Sequence, residues 1–578
     1  MYIWVLPMHS LHCSLRACPS VHRQSCSPDG TPTHLLLPHV VYRMEASQPT
    51  TLLALPEPCL LAIVQHVATD PISLCAVARA HSRLYQLSKE VPRRAKRLVD
   101  QEQLDSLLQY LKEHGRNVRC LELSGASHTC DYYGGCYLRA TLRQLPALQK
   151  LSSLRLQDLI LQLQPRNGFR GLRPAFTQLP FKQLRIWGCD VDSMPALEAA
   201  LLRLPNLQHL SVGYLNRDVV QDPMWGPPGA NLRWCVSLDV VQRLRQLTCL
   251  EIAGGFCDSE DQGRAVTALQ ALSMLTGLLD LRLHPYSENI YHKGRRYNLC
   301  ASMLSGLHRL TRLELEEFPY VEPAALAGKT LLQHLRLTGC RVGDKSPAAV
   351  AQLLSHLQPL QQLTQVDIGG GRIPWQRREI WHIDEGNPPP TAFAALTASS
   401  KMRCLKLGSC TLPAGVWRHM FPTGKQLPQL TSLVMHDIWQ TSWDRPALAA
   451  PFGSRLVSCC PGLQHLDMRG LSKSAGTSML TALQRLSGLR TLLISPAQGT
   501  ERGGLVEVCK MTGLRQLDLY NCRGLPRGLL LQVTQLQQLT RLRCGGPKQD
   551  MVLEAKVGTL QPTAFKACHK DRGLCNPS

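Results

Sequence analysis

Between Val118 and Leu539 the chain repeats one short arrangement of apolar and polar positions, L-x-x-L-x-L, whose last two apolar residues flank a single outward position. It reads VRCLEL from Val118, LSSLRL from Leu151, FKQLRI from Phe181, LQHLSV from Leu207 and LTCLEI from Leu247. It returns at Leu278, Leu310, Leu332, Leu363, Met402, Leu430, Leu463, Leu489, Leu514 and Leu539. Alternation with period two predicts a short strand that buries one face. Between the copies the period changes: AAVAQLLSHLQPLQQL and SMLTALQRLSGLRTL carry leucines three and four residues apart, which predicts helices packed behind the strands. The copies recur at a mean step of about 30 residues, and a chain built this way is a stack in which each unit contacts its neighbours.

The repeat resembles the leucine-rich repeat family. The resemblance implies an α/β solenoid, a horseshoe with parallel strands on its concave face and helices on its convex face. Five regions are expected: 1–47, a disordered extension rich in His, Cys, Pro and Ser and without periodicity; 48–92, a small all-helical domain; 93–116, a basic linker and capping helix; 117–545, about fifteen repeats; and 546–578, a tail.

The helical expectation for 48–92 rests on LLALPEPCLLAIVQHVATDPISLCAVARAHSRLYQLSKE, residues 52–90. Leu60, Ile63, Val64 and Val67 form one helical face after a Pro-Glu-Pro start, and Asp70-Pro71 opens a second helix carrying Leu74, Val77, Leu84 and Leu87. The bland reading is a cap over the first repeat. The segment also resembles the F-box, a helical module that docks on the Skp-type adaptor of cullin-RING ubiquitin ligases. The matching elements are Leu55-Pro56, Leu60, Ile63, Val67, Asp70-Pro71, Leu74 and CAVARAHSRL; His81 stands where that family commonly has Trp or Phe. The resemblance implies adaptor contacts at Leu55, Pro56, Leu60, Ile63 and Val67.

Composition adds constraints. No run reaches the ~18 apolar residues of a membrane helix, and no basic stretch precedes the short apolar patch at the N-terminus, so an intracellular, cytoplasmic or nuclear, protein is expected. The 23 cysteines then do not imply a disulfide framework. Cys189, Cys340, Cys410 and Cys522 each stand three residues after the final apolar residue of a copy, the Asn/Cys position of the repeat, where a small thiol fills the turn leaving the strand. Neither these nor the remaining cysteines show metal-ligand spacing, and neither a P-loop, a G-x-S-x-G nor an H-E-x-x-H motif is present. No catalytic residue, metal or cofactor is expected, and the chain is read as a non-enzyme.

Residues beyond the basal step of 25 accumulate after the strand and before the helix, at 127–138, 214–235, 284–299, 370–390 and 436–446. One common phase predicts one rim, and Trp225, Trp234, Tyr291, Arg295, Arg296, Trp375, Trp381, Trp439 and Trp443 are its candidate partner-binding residues, by the enrichment of Trp, Tyr and Arg at hot spots. The alternative is that these rings cover repeat edges. The formal charge of +22, with YHKGRRYN and WQRREIW, raises RNA as a ligand. Against it, the outward positions of the fifteen copies hold six basic and six acidic residues, whereas a phosphate-tracking groove is mostly basic. The expected function is the substrate-recognition subunit of an SCF-type ligase, with a Skp-type adaptor, a cullin and a protein substrate as partners and without a membrane. The alternative is a non-ligase repeat scaffold, cytoskeletal or axonemal.

Overall fold

The computed structural model describes the chain in segments between Cys120 and Glu554, together with Leu60 and Leu104. Outside the described residues lie 1–59, 61–103, 105–119, 125–137, 142–149, 158, 163–179, 192, 214–237, 255–268, 285–297, 319, 344–345, 370–387, 409, 414, 437–438, 441–448, 470–476, 496–500, 521–531, 534–535, 547–548 and 555–578. The chain divides into two compact units, the first ending at Phe181 but also including Cys189–Ser193, the second containing Lys182–Gly188 and everything from Met194 onward.

In the first unit the strands Cys120–Ser124 and Ser153–Gln157 pair in parallel, residue for residue, with Leu121, Leu123, Leu154 and Leu156 buried. A second parallel sheet joins Leu138–Thr141, Leu159–Gln162 and Asp190–Val191.

The second unit is a leucine-rich repeat solenoid. Its parallel ladder runs from Gln183–Trp187 through His209–Gly213, Cys249–Ala253, Asp280–His284, Arg312–Glu316, His334–Thr338, Gln365–Gly369, Cys404–Gly408, Ser432–His436, His465–Met468, Thr491–Ile494 and Gln516–Tyr520 to Arg541–Gly546. Every strand begins two residues after the first apolar residue of its motif. That first residue belongs to the preceding turn: the N–H of Leu332, for instance, donates to the carbonyl of Lys329 (2.9 Å), and that of Leu363 to Leu360 (3.1 Å). The two inward residues of each strand stack on their counterparts in register, as Leu313 on Leu335 and Leu315 on Leu337.

Behind the ladder the expected helices form at Pro347–Leu357, with Val350, Leu353, Leu354 and Leu357 buried, and at Thr477–Leu483. Ser346 caps the first, its hydroxyl accepting from the Ala349 N–H (3.1 Å), and Pro347 occupies the first turn, where its missing N–H costs nothing. Other repeats, short and long alike, close with 3-10 turns instead, at Ala271–Met274, Pro323–Leu326 and Pro390–Thr397. Adjacent repeats approach closely enough that a Cβ on Gly306 would meet the Ser273 carbonyl oxygen at 2.1 Å.

Two features depart from expectation. An antiparallel strand, Gln549–Glu554, pairs with Arg541–Gly546 inside the region read as a tail. Within the expected loop 436–446, Trp439–Gln440 forms a short parallel pairing with Thr411–Leu412, because residues inserted after one strand meet those inserted after its neighbour.

Candidate interaction face

Each five-residue strand turns its first, third and fifth side chains away from the stacked leucines. In the second unit the third positions form a register row, Arg185, Ser211, Glu251, Arg282, Glu314, Arg336, Asp367 and Lys406. From Glu251 to Lys406 the sign alternates at every strand, so Arg282, Glu314, Arg336 and Asp367 each stand between two opposite charges on strands about 4.8 Å away. Flanking positions tie this row together. The Trp187 indole N–H donates to the Ser211 hydroxyl (2.6 Å), which donates to Glu251 (2.7 Å). His284 lies between Glu251 (4.0 Å) and Glu316 (2.9 Å). Arg312 and His334 meet Glu314 at 3.0 and 3.1 Å, and Arg336 meets Glu316 at 3.1 Å. The two arginine contacts are ion pairs by distance rather than aligned hydrogen bonds, and His334 faces Glu314 at a similar distance. Arg336 and Lys406 both approach Asp367, at 3.7 and 3.9 Å.

Burial works to raise the Glu314 carboxyl, but the His334 ring, Arg282 and Arg312 outweigh it and hold it down to about 2. Asp280 grips Arg282 through two hydrogen bonds (3.1 and 2.8 Å) and thereby raises the guanidinium further. Glu314 therefore stays ionised and helps to fix the cations around it.

Beyond Lys406 the same row reads Val434, Asp467, Leu493 and Asp518, all buried. Arg469 clasps Asp467 (2.7 Å) and reaches Asp518 (3.9 Å) across the strand carrying Leu493, closing this end of the face. The row ends in Arg543, half-buried, beside the exposed Arg541, so the buried stretch from Val434 to Asp518 separates these last arginines from the accessible charges at Lys406 and before it.

The Cys249 thiol on this face is pushed up to about 12 by burial and by Asp280. Cys189, Cys340 and Cys410 are buried at the predicted turn position. Cys340 donates to the carbonyls of Leu315 (3.3 Å) and Thr338 (3.5 Å), and burial raises its thiol beyond the range in which it ionises. Among the described residues no three His, Cys, Asp or Glu side chains come together as a metal site, and no helix is long and apolar enough to cross a membrane.

Of the residues singled out in the sequence, Leu60 is helical and buried; Leu55, Pro56, Ile63 and Val67 lie outside the described residues. So do Cys522, Trp225, Trp234, Tyr291, Arg295, Arg296, Trp375, Trp381 and Trp443, while Trp439 has its backbone in the short strand above. Sequence reading took the third strand positions alone as the outward face. It missed His284, Arg312, Glu316 and His334, although the same alternation, carried one step further in DLRLH, RLELE and HLRLT, marks them.

No protein-family model and no curated protein matches the chain. Among solved structures it is similar to an internalin (inlF) from Listeria monocytogenes, at 13% identity over 77% of this chain and 93% of that one, with a TM-score of 0.37. It is also similar to TLR13 in a complex with ssRNA13, at 16% identity over 73% of this chain and 62% of that one, again with a TM-score of 0.37.

Proposed function

We propose that the chain is a substrate-recognition subunit of an SCF-type cullin-RING ubiquitin ligase, its repeats holding a protein substrate and its residues 52–90 docking on the Skp-type adaptor. The observation that carries this reading is the order of its parts in the sequence: a segment that resembles an F-box, residues 52–90, precedes a repeat array that offers a register-specific, mixed-charge face. Mixed charge in fixed register selects a protein partner by complementarity. Such a subunit catalyses nothing itself; it raises the effective concentration of substrate beside the ubiquitin-charged enzyme.

Because Leu60 is buried within this chain, the test is placed on Pro56 and Ile63. Co-purification of the full chain with a Skp-type adaptor and cullin is expected for the unaltered protein and is expected to be lost in Pro56→Asp/Ile63→Asp, with circular dichroism of the repeats unchanged. An unaltered chain that captures no adaptor, or a variant that captures as much, removes the ligase reading.

A further inference from the structure

In the second unit's ion pairs of arginine or lysine with a carboxylate on this face, the cation is the more exposed member. The Arg312 side chain is 38% exposed over a Glu314 at 10%, Arg336 is 29% exposed over Glu316 at 9%, and Lys406 is 38% exposed over Asp367 at 16%. The carboxylates sit against the sheet and the cations stand above them. A partner approaching the sheet therefore meets guanidinium and ammonium donors first.

The spacing of these donors is also set. Arg282, Arg336 and Lys406 occupy the same row on alternate strands, so they recur about every 10 Å, twice the strand separation. A polyproline II chain has three residues per turn and rises ~3.1 Å per residue, which brings every third side chain to one side at ~9 Å. Runs of acidic residues repel themselves into extended chains.

We infer that the strand face between Arg282 and Lys406 is a docking strip for an extended acidic peptide segment, with carboxylates at every third residue meeting Arg282, Arg336 and Lys406. This deepens the ligase reading by naming the chemistry of the substrate segment, and it rests on that reading only for the word substrate. The chain's net charge of +22 draws an acidic partner in. On the strip itself the carboxylates Asp280, Glu314, Glu316 and Asp367 match the cations Arg282, Arg312, Arg336 and Lys406 in number, so recognition rests on the outer position of the cations, acts at contact range and responds modestly to salt. A nucleic acid, by contrast, loses affinity steeply as counterions compete.

The test is fluorescence anisotropy of a labelled ~15-residue polyglutamate peptide with the full chain, beside polylysine and an oligouridylate of similar length. Polyglutamate is expected to bind and polylysine not to. Arg336→Gln/Lys406→Gln is expected to weaken polyglutamate binding at least ~10-fold, while Arg485→Gln, an exposed arginine on the helix side, leaves it unchanged. Should the double variant lose its fold by circular dichroism, Lys406→Gln alone, whose ion pair is long, is expected to weaken binding ~3-fold. Failure of the unaltered chain to bind polyglutamate overturns the inference, as does equal weakening by Arg485→Gln. Tighter, strongly salt-dependent binding of oligouridylate through the same two residues assigns the strip to nucleic acid instead. Loss of adaptor capture touches none of these outcomes, so the two readings fail separately.

Discussion

One position in the repeat shows what a single side chain does to this core. Among the described residues, from the copy at Leu207 onward, a buried apolar residue stands three residues before the motif, as Leu204, Leu244, Leu275, Leu307, Leu360 and Leu427; at two of these slots the chain places Ser399 and Lys329 instead. Ser399 is reconciled by donating to the carbonyls of Gln361 (2.9 Å) and Leu363 (2.8 Å). Lys329 is not: it is 2% exposed, and burial alone, with no carboxylate acting on it, pushes its ammonium below the usual lysine range. A lysine whose folded pKa is lowered weakens the fold at neutral pH and ceases to do so as pH rises toward its unfolded value near ~10.4. Lys329→Leu is therefore expected to gain about 1–2 kcal/mol in urea unfolding at pH 7, with the gain shrinking above ~pH 10; a loss would mean that the ammonium has a role the packing does not reveal. Glu314 has the opposite sign. Its depressed folded pKa contributes stability that is full above the ordinary carboxylate range and is lost as pH falls through about 2. Between ~pH 4.5 and 2, Glu314→Gln should unfold with a shallower pH dependence than the unaltered chain, by up to ~1.4 kcal/mol per pH unit. At the turn cysteines, burial predicts that Cys189, Cys340 and Cys410 escape alkylation in the native chain and react once it is denatured.

At the scale of the strand and its turn, most of the architecture is legible in the sequence because the same physics acts in every copy. Period two fixes the strands, and the strands fall where the motifs put them, two residues after each first leucine. The connection leaving each strand is less legible, since a run such as PAAL or ALSM is too short for periodicity to separate an α-turn from a 3-10 turn. The flanking rows of the interaction face were missed for a related reason: a two-residue period has no marked end, so reading the L-x-L alone drops His284, Glu316, Arg312 and His334. The fastening between repeats also went unread. Thr248, Thr311, Thr364, Thr431 and Thr540 occupy the second position of their motifs, and each hydroxyl donates to a carbonyl of the preceding repeat at 3.0 to 3.2 Å, beside the paired N–H bonds made at the same seam. Thr311→Val, which keeps shape and removes the hydroxyl, is expected to cost about 0.5–1.5 kcal/mol in equilibrium unfolding. A neutral result would show that the backbone bonds at that seam suffice.

For the second unit as a whole, stability is approximately a sum over repeats and the interfaces between them, so the ends decide where opening begins. At the C-terminal end Gln549–Glu554 covers the backbone edge of Arg541–Gly546 that would otherwise be open to pairing. Met551→Pro, within that hairpin, is expected to raise amide exchange first in Arg541–Gly546 and Gln516–Tyr520, leaving Arg312–Glu316 and His334–Thr338 protected; uniform exchange along the ladder would show that the array opens as one unit. The reversed direction of this last strand has a further meaning for the history of the chain. A parallel array lengthens by copying, since a duplicated unit inserted anywhere inside it meets the same register above and below. A further copy placed beyond the antiparallel strand would meet an edge that runs the opposite way, so a duplication can lengthen the interior of such an array but not continue its parallel ladder past Gln549–Glu554.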